Sequence, residues 1–166
     1  MTLSQLWSEL LKTQKILFLL ILTLCIFSWL EFAGAQSKPN VSGTWKMNAE
    51  KSKFERGGPK NLTIKFEQQE STLRESLMIT NDRGEQTLNF TYTLDGKESV
   101  QQVEGQDIKA SAKWEGSSLI IEFKNDQGFN FLRKIAVSAD GKTMTASVQQ
   151  TNPNGTVNDT VILEKQ

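Results

Sequence analysis

Residues 88–96 read LNFTYTLDG, and this stretch decides the fold of the chain. Apolar and polar side chains alternate through it, which predicts a half-buried β-strand because successive side chains of a strand point to opposite faces. The stretch ends in Asp95-Gly96, a pair that favours a tight hairpin turn, since glycine readily adopts the positive φ angle that such a turn requires. Its apolar face consists of Leu88, Phe90, Tyr92 and Leu94.

The same rhythm of strand and glycine turn runs through most of the remaining chain. A first strand is predicted over Ser42–Asn48, followed by a loop over Ala49–Lys60, with or without one helical turn. Later strands follow at intervals of about 8–12 residues, a spacing typical of sandwiches and barrels. Because a long meander of short hairpins closes on itself to avoid exposed edges, we predict an all-β fold, an antiparallel up-and-down barrel of about 8–10 strands.

The first 35 residues have the pattern of a signal peptide. The apolar run Ile16–Leu30 follows Lys12 and Lys15, and the small residues Ala33–Ala35 supply a cleavage site. An uncleaved membrane anchor is the alternative, although a spanning helix needs roughly 20 apolar residues. Both interpretations place the rest of the chain on the far side of the membrane. We therefore predict a signal peptide over 1–35, removed on export, and one secreted or periplasmic barrel domain over 36–166 that is free of the membrane.

Composition excludes several classes of function. The chain has 19 basic and 19 acidic side chains, so no positive excess points to nucleic acid as a partner. It contains no histidine, which removes the commonest metal ligand and the commonest general base. The one cysteine, Cys25, lies in the predicted leader, and no nucleophile has an evident base. These features predict no metal site, no cofactor and no enzymatic activity.

Several short motifs resemble those of the calycin superfamily. Gly43-Thr44-Trp45-Lys46 resembles the opening strand of lipocalins and fatty-acid-binding proteins, and of small secreted lipocalin-like proteins of bacteria. The turns at 93–97 and 113–116 and the closing Leu163-Glu164-Lys165 are similar to those of fatty-acid-binding proteins in the same order. The resemblance implies a barrel that binds a small ligand in its interior.

The chain also departs from the fatty-acid-binding-protein pattern in two places. That family has a helical pair between its first two strands, and the Ala49–Lys60 segment is too short for two helices. The family also ends in an Arg-x-Tyr motif that binds a ligand carboxylate, whereas Val161 and Leu163 stand at those positions here. The resemblance therefore bears on the fold more than on the ligand.

Arg133 is the polar residue that the pattern places in the barrel interior. It shares the parity of the apolar residues on its strand, and a buried guanidinium is costly unless it is paired. The resemblance to lipocalins suggests Trp45 as a cation–π partner, while Asp159, which shares the inward parity of its own strand, is a second candidate. Arg133 is thus interpreted as a structural ion pair, as a residue at the barrel rim, or as a group that recognises a ligand.

We expect the interior to bind a small apolar or amphipathic molecule. The alternative is a structural or interaction module whose barrel is filled by its own side chains. Small residues on the inward parity, at Ala110, Ala112 and Ala146, either leave room for a ligand or let neighbouring aromatic rings interdigitate. The predicted interior ligand-binding residues are Trp45, Phe90, Tyr92, Trp114, Phe123, Phe131, Arg133 and Asp159.

Overall fold

The computed structural model describes residues 38–103 and 105–166. The predicted signal peptide lies outside the described residues, and the barrel lies within one compact unit, Ser37–Gln166. No described residue belongs to a helix long and apolar enough to span a membrane. The ten strands are β1 Gly43–Met47, β2 Asn61–Gln68, β3 Thr72–Asn81, β4 Gly84–Thr93, β5 Ser99–Val103, β6 Gln106–Glu115, β7 Ser118–Lys124, β8 Asn130–Val137, β9 Thr143–Asn152 and β10 Gly155–Lys165.

All ten strands form a single antiparallel sheet that curls into a nearly closed barrel. Their spatial order is β4-β3-β2-β1-β10-β9-β8-β7-β6-β5, so strands adjacent in sequence pair with each other except β4 and β5, and β1 pairs with β10. Trp45 on β1 lies opposite Lys165 on β10. This ladder joins the first strand of the chain to the last. The prediction of an all-β, up-and-down, antiparallel barrel is confirmed.

The strands β4 and β5 are the two ends of this order, and side-chain contacts connect them. The amide side chain of Gln101 on β5 bonds both the backbone N–H and the carbonyl of Thr91 on β4. The backbone N–H of Gly96 also donates to the carbonyl of Ala112 on β6 at 2.9 Å. These bonds satisfy polar groups that a regular strand ladder would otherwise pair.

The two ends of the barrel differ in how they are filled. At the end where β1 begins and β10 finishes, apolar side chains pack completely. There Trp45 is fully buried and its indole N–H donates to the carbonyl of Val41 at 2.8 Å. Its ring lies 5.1 Å beneath the Lys165 ammonium. The fully buried side chains of this closed end include Trp45, Leu73, Leu119 and Met144.

At the other end, which we call the open end, the connection between β1 and β2 lies along β10. Residues 48–60 make one hydrogen-bonded turn, in which the Ser52 N–H donates to the Asn48 carbonyl at 3.1 Å. Lys53 then pairs with Thr160 of β10 as an isolated antiparallel bridge. This segment was predicted as a loop, and the structure shows a loop tied to the barrel wall.

Candidate ligand-binding site

A cleft of about 560 Å³ occupies the open end of the barrel. β9 contributes Ala146 and Val148 to it, and β10 contributes Val157 and Val161, whereas the closed end carries larger side chains such as Trp45. Of the three alanines expected to leave room, Ala146 lines the cleft, while Ala110 and Ala112 are buried in the packed core. The apolar lining consists mainly of Leu62, Ile64, Leu77, Ile79, Phe131, Ala146, Val148, Val157, Val161 and Leu163.

The 54–59 part of the β1–β2 connection forms the lip of the cleft. Phe54 lines it with a half-buried ring, and Gly58 packs so closely on that ring that a Cβ at this position would lie 2.4 Å from a ring carbon. The carboxylate of Asp159 accepts a hydrogen bond from the Glu55 N–H at 2.9 Å. The lip therefore takes its position from contacts with the barrel wall.

A buried polar triad extends across the barrel from the cleft. Nη2 of Arg133 on β8 lies 2.6 Å from each carboxylate oxygen of Glu75 on β3. The hydroxyl of Tyr92 on β4 donates to Glu75 at 2.8 Å. The Glu75 side chain is 0% exposed and that of Arg133 is 5% exposed. Such a pair is stable only when its polar groups are hydrogen-bonded, and Glu75 accepts three hydrogen bonds here.

The triad uses only Nη2 of Arg133, and neither Nε nor Nη1 has a hydrogen-bond partner among the described residues. Of these two donors, Nε is buried. The guanidinium carbon lies 5.9 Å from the centre of the Phe66 ring, within the range of a cation–π contact. Burial, and then the neighbouring Glu75 carboxylate, raise the pKa of the Tyr92 phenol well above its usual value. Tyr92 therefore remains a hydrogen-bond donor at neutral pH.

The predicted partners of Arg133 are wrong. The guanidinium pairs with Glu75, while Trp45 lies under Lys165 and Asp159 bonds the Glu55 backbone. Asp159 does lie in register with Arg133 through Val148, but β8, β9 and β10 form one wall, so their side chains point inward side by side. Curvature brings β3 to face β8 across the interior, and that is where the guanidinium finds its partner.

The structure separates the predicted ligand-binding residues into two groups. Phe131, Arg133 and Asp159 line the cleft. The others lie outside its lining, and most are part of an aromatic core in which the Phe90 and Phe123 ring centres are 4.8 Å apart. Trp114 is half-buried, and its indole N–H is buried without a partner in the part of the chain that the structure describes. The residues outside the lining are Trp45, Phe90, Tyr92, Trp114 and Phe123.

Sequence reasoning missed the aliphatic lining of the cleft, such as Leu62 and Val148, and it missed Glu75, the partner of Arg133. Glu75 shares the parity of Leu73, Leu77 and Ile79 on β3, so it interrupts an otherwise apolar inward row. That interruption was visible in the sequence, in the same form as the Arg133 interruption on β8. Two opposite charges, each on the inward face of its strand, are the signal that would have predicted the pair.

Comparison with known proteins finds likeness in structure alone. No family model matches the chain, and no curated protein matches it in sequence. The REP1-NXSQ fatty acid transporter is 16% identical over 75% of this chain and 95% of its own, with a TM-score of 0.57. A secretory abundant heat soluble protein from Ramazzottius varieornatus is 13% identical, with 80% and 100% covered and a TM-score of 0.61.

A third similar structure is the zebrafish ileal bile acid-binding protein in complex with cholic acid. It is 16% identical over 75% of this chain and 98% of its own, with a TM-score of 0.55. At these identities the likeness establishes the fold and leaves the ligand open. The fold is that of the fatty-acid-binding-protein-like calycin barrels, in agreement with the resemblance found in the short sequence motifs.

Proposed function

We propose that this protein binds one small apolar or amphipathic molecule in the cleft of its barrel. The observation that carries the proposal is a cleft of about 560 Å³ with a mainly apolar lining. Its polar and charged side chains are Arg56, Asn81, Arg133, Gln150, Asn152 and Asp159. Pockets for small molecules in proteins have about this volume and this mixture of side chains. Two of the similar structures are named for a fatty acid and a bile acid as their ligands, which supports binding rather than catalysis.

The lining suggests how such a molecule would lie. Its apolar part would contact Leu62, Leu77 and Val148, where burial of hydrocarbon contributes about 25 cal/mol per Å². Its polar part would lie near Arg133 or Asp159, the charged groups of the lining that belong to the barrel wall. The alternative of a barrel filled by its own side chains is favoured only at the closed end, where packing is complete.

The proposal is tested by titrating the protein with Nile red, an uncharged apolar dye that fluoresces when it leaves water. We expect saturable binding of one dye per chain. Val148→Trp should abolish this binding because Val148 is buried and lines the cleft, so a larger ring would fill the space. The matched control is Gln149→Trp, which places the same ring on the exposed outer face of the same strand.

Two results would contradict the proposal. One is that the wild-type protein binds no dye, and the other is that Val148→Trp binds as well as Gln149→Trp. Leu77→Trp serves as a second filling variant if Val148→Trp does not fold, since Leu77 is only half-buried and lies nearer the mouth. Circular dichroism of each variant separates loss of the cleft from loss of the barrel.

We also propose that the barrel is exported and acts in a secreted or periplasmic location. The apolar run Ile16–Leu30 with lysines before it and small residues after it supports this proposal. N-terminal sequencing of the protein from its own cells should find Gln36 as the first residue. Membrane-bound protein that begins at Met1 or Thr2 would count against cleavage.

A further inference from the structure

We propose that the cleft selects ligands with an uncharged oxygen-bearing head, such as an alcohol or an ester, and that Glu75 imposes this selectivity by occupying Arg133. The inference rests on the proposed binding function and specifies the ligand class. Arg133 and Asp159 are the charged barrel-wall groups of the lining, and the charge of Arg133 is already neutralised inside the protein. Glu75 already accepts hydrogen bonds from Nη2 of Arg133, a donor that a ligand carboxylate would otherwise use.

The geometry of the ion pair explains why an acid would compete poorly. Both carboxylate oxygens of Glu75 lie 2.6 Å from Nη2 of Arg133, and the Tyr92 hydroxyl holds one of them from the other side. A ligand carboxylate beside this pair would leave two buried carboxylates sharing one guanidinium. Like charges in a site of low dielectric repel each other strongly, and a buried charge without its own partner is disfavoured.

The charges around the cleft add to this exclusion. Asp159 on β10 brings a second carboxylate to the lining, and Arg56 on the lip is exposed, so solvent screens its charge. The inward face of β2 contributes Leu62, Ile64 and Phe66, which carry no charge. The Tyr92 phenol remains protonated, since burial raises its pKa. An uncharged ligand would enter this space without adding a third carboxylate to Glu75 and Asp159.

The donors that remain at the site suit a neutral oxygen. Nη1 of Arg133 makes no hydrogen bond with a described residue, and Nε is buried without one, on a side chain that lines the cleft. A buried donor gains stability from any acceptor, and a hydroxyl or carbonyl oxygen supplies one without a charge. A hydroxyl could also donate to the carboxylate of Asp159. The selectivity thus combines a repulsive element, Glu75, with an unsatisfied donor that attracts neutral heads.

The test compares three ligands with the same alkyl chain, dodecanol, methyl dodecanoate and dodecanoate, by displacement of Nile red at neutral pH. We expect the wild-type protein to bind the alcohol or the ester at least about tenfold more tightly than the carboxylate. Glu75→Gln should raise the affinity for dodecanoate by about tenfold or more, because the amide keeps its shape and leaves Arg133 with its charge. Glu67→Gln is the matched control, since it removes a carboxylate from the exposed outer face of β2.

The outcomes separate this inference from the proposed function. If Nile red itself does not bind, the proposed function fails. If the dye binds but dodecanoate binds as tightly as the uncharged ligands, or none of the three ligands displaces it, the ligand class is wrong. If Glu75→Gln does not fold, Asp159→Asn provides the second variant, and it should raise dodecanoate affinity in the same direction. An effect of Glu67→Gln equal to that of Glu75→Gln would also overturn the inference, because only total charge would then matter.

Discussion

The Gly43 backbone shows how one residue shapes the closed end of the barrel. Gly43 has a φ of 128°, a conformation that side-chain-bearing residues rarely adopt. A Cβ at this position would lie 2.8 Å from Cε of Lys165, the side chain whose ammonium covers the Trp45 ring. Glycine at the start of the Gly43-Thr44-Trp45 motif therefore allows this backbone conformation. It also leaves room for the Lys165 side chain to pack over the Trp45 ring.

Gly43→Ala should destabilise the barrel for two separable reasons. Backbone strain alone is expected to cost about 1–3 kcal/mol. Displacement of Lys165 from the Trp45 ring should add about 0.5–1 kcal/mol, the value of an exposed cation–π contact. Gly84→Ala is the matched control, since Gly84 has a φ of 118° and a Cβ added there would meet nothing within 4 Å. Urea unfolding measures both losses.

The contribution of the lysine can be isolated in a second background. In Lys165→Ala protein, Gly43→Ala should cost no more than Gly84→Ala, because the displaced side chain is gone. If Gly43→Ala still costs more there by about 1 kcal/mol, the excess comes from the backbone, and the assigned contact with Lys165 is wrong.

Single residues also show what sequence patterns can and cannot predict. The inward direction of Arg133 followed from parity, because parity is a local property of a strand. Its partner did not follow, since Glu75 lies 58 positions away in sequence and meets Arg133 only through the curvature of the barrel. Phe131 lines the cleft, whereas Phe123 is buried in the core. Which of the two positions an inward aromatic ring takes depends on its depth along the barrel, and parity does not predict depth.

At the scale of strands, the Arg133–Glu75 pair is a crosslink between β8 and β3, which have no ladder in common. Arg133→Met should cost about 3–5 kcal/mol of unfolding free energy, because it leaves the buried Glu75 carboxylate with the Tyr92 hydroxyl but without a cation to balance its charge. Combining it with Glu75→Gln should recover part of that loss. The control is Lys134→Met on the exposed outer face of β8, which should change stability by less than about 0.5 kcal/mol.

Urea unfolding of the wild type, both single variants and the double variant forms the cycle that measures this coupling. A double variant whose loss equals the sum of the two single losses would show that the residues act independently. In that case the coupling free energy between Arg133 and Glu75 would be zero. The apolar core alone would then hold β3 and β8 together.

The strands themselves were predictable because hydrophobic alternation and turn glycines agree along most of the chain. Asp95-Gly96 does turn the chain after β4, and Gly96 has a φ of 79°. The tight hairpin predicted there is wrong, because β4 and β5 do not pair and Asp95 forms an isolated bridge with Lys113 of β6 instead. The β5 strand is the weakest of these patterns, since its inward row contains Ser99 and Gln101. Its place at the end of the strand order, with Gln101 bonded to Thr91, explains why polar side chains occur there. The cleft could not be predicted, because its volume depends on how ten inward rows meet.

For the molecule as a whole, the surface charges determine how stability depends on pH. The Thr93 hydroxyl, followed by Lys97, holds the pKa of the Asp95 carboxyl well below its usual range. The Ser138 hydroxyl and the Lys142 N–H likewise lower the pKa of Asp140. At the other extreme, hydrogen bonding to Glu115 raises the pKa of the Lys113 ammonium above its usual 10.5.

These shifts set the pH window of maximal stability. A carboxyl with a lowered pKa in the folded state binds fewer protons than in the unfolded chain, so its contribution is present above the usual aspartate value of 3.8 and is lost as pH falls below it. A lysine with a raised pKa contributes below 10.5 and loses that contribution as pH rises further. The Tyr92 phenol, whose pKa is also raised, acts in the same direction at high pH.

We therefore expect the urea midpoint to be nearly constant between about pH 5 and pH 9, to fall in stronger acid, and to fall again in strong base. Because the acidic groups named are exposed and screened by solvent, the acid decline should be gradual and should weaken at high salt. Thr93→Val removes the largest cause of the Asp95 shift, so NMR titration should show the pKa of Asp95 rising toward 3.8 in that variant. A midpoint at about pH 3 equal to that at neutral pH would mean that these hydrogen bonds do not stabilise the fold relative to the unfolded chain.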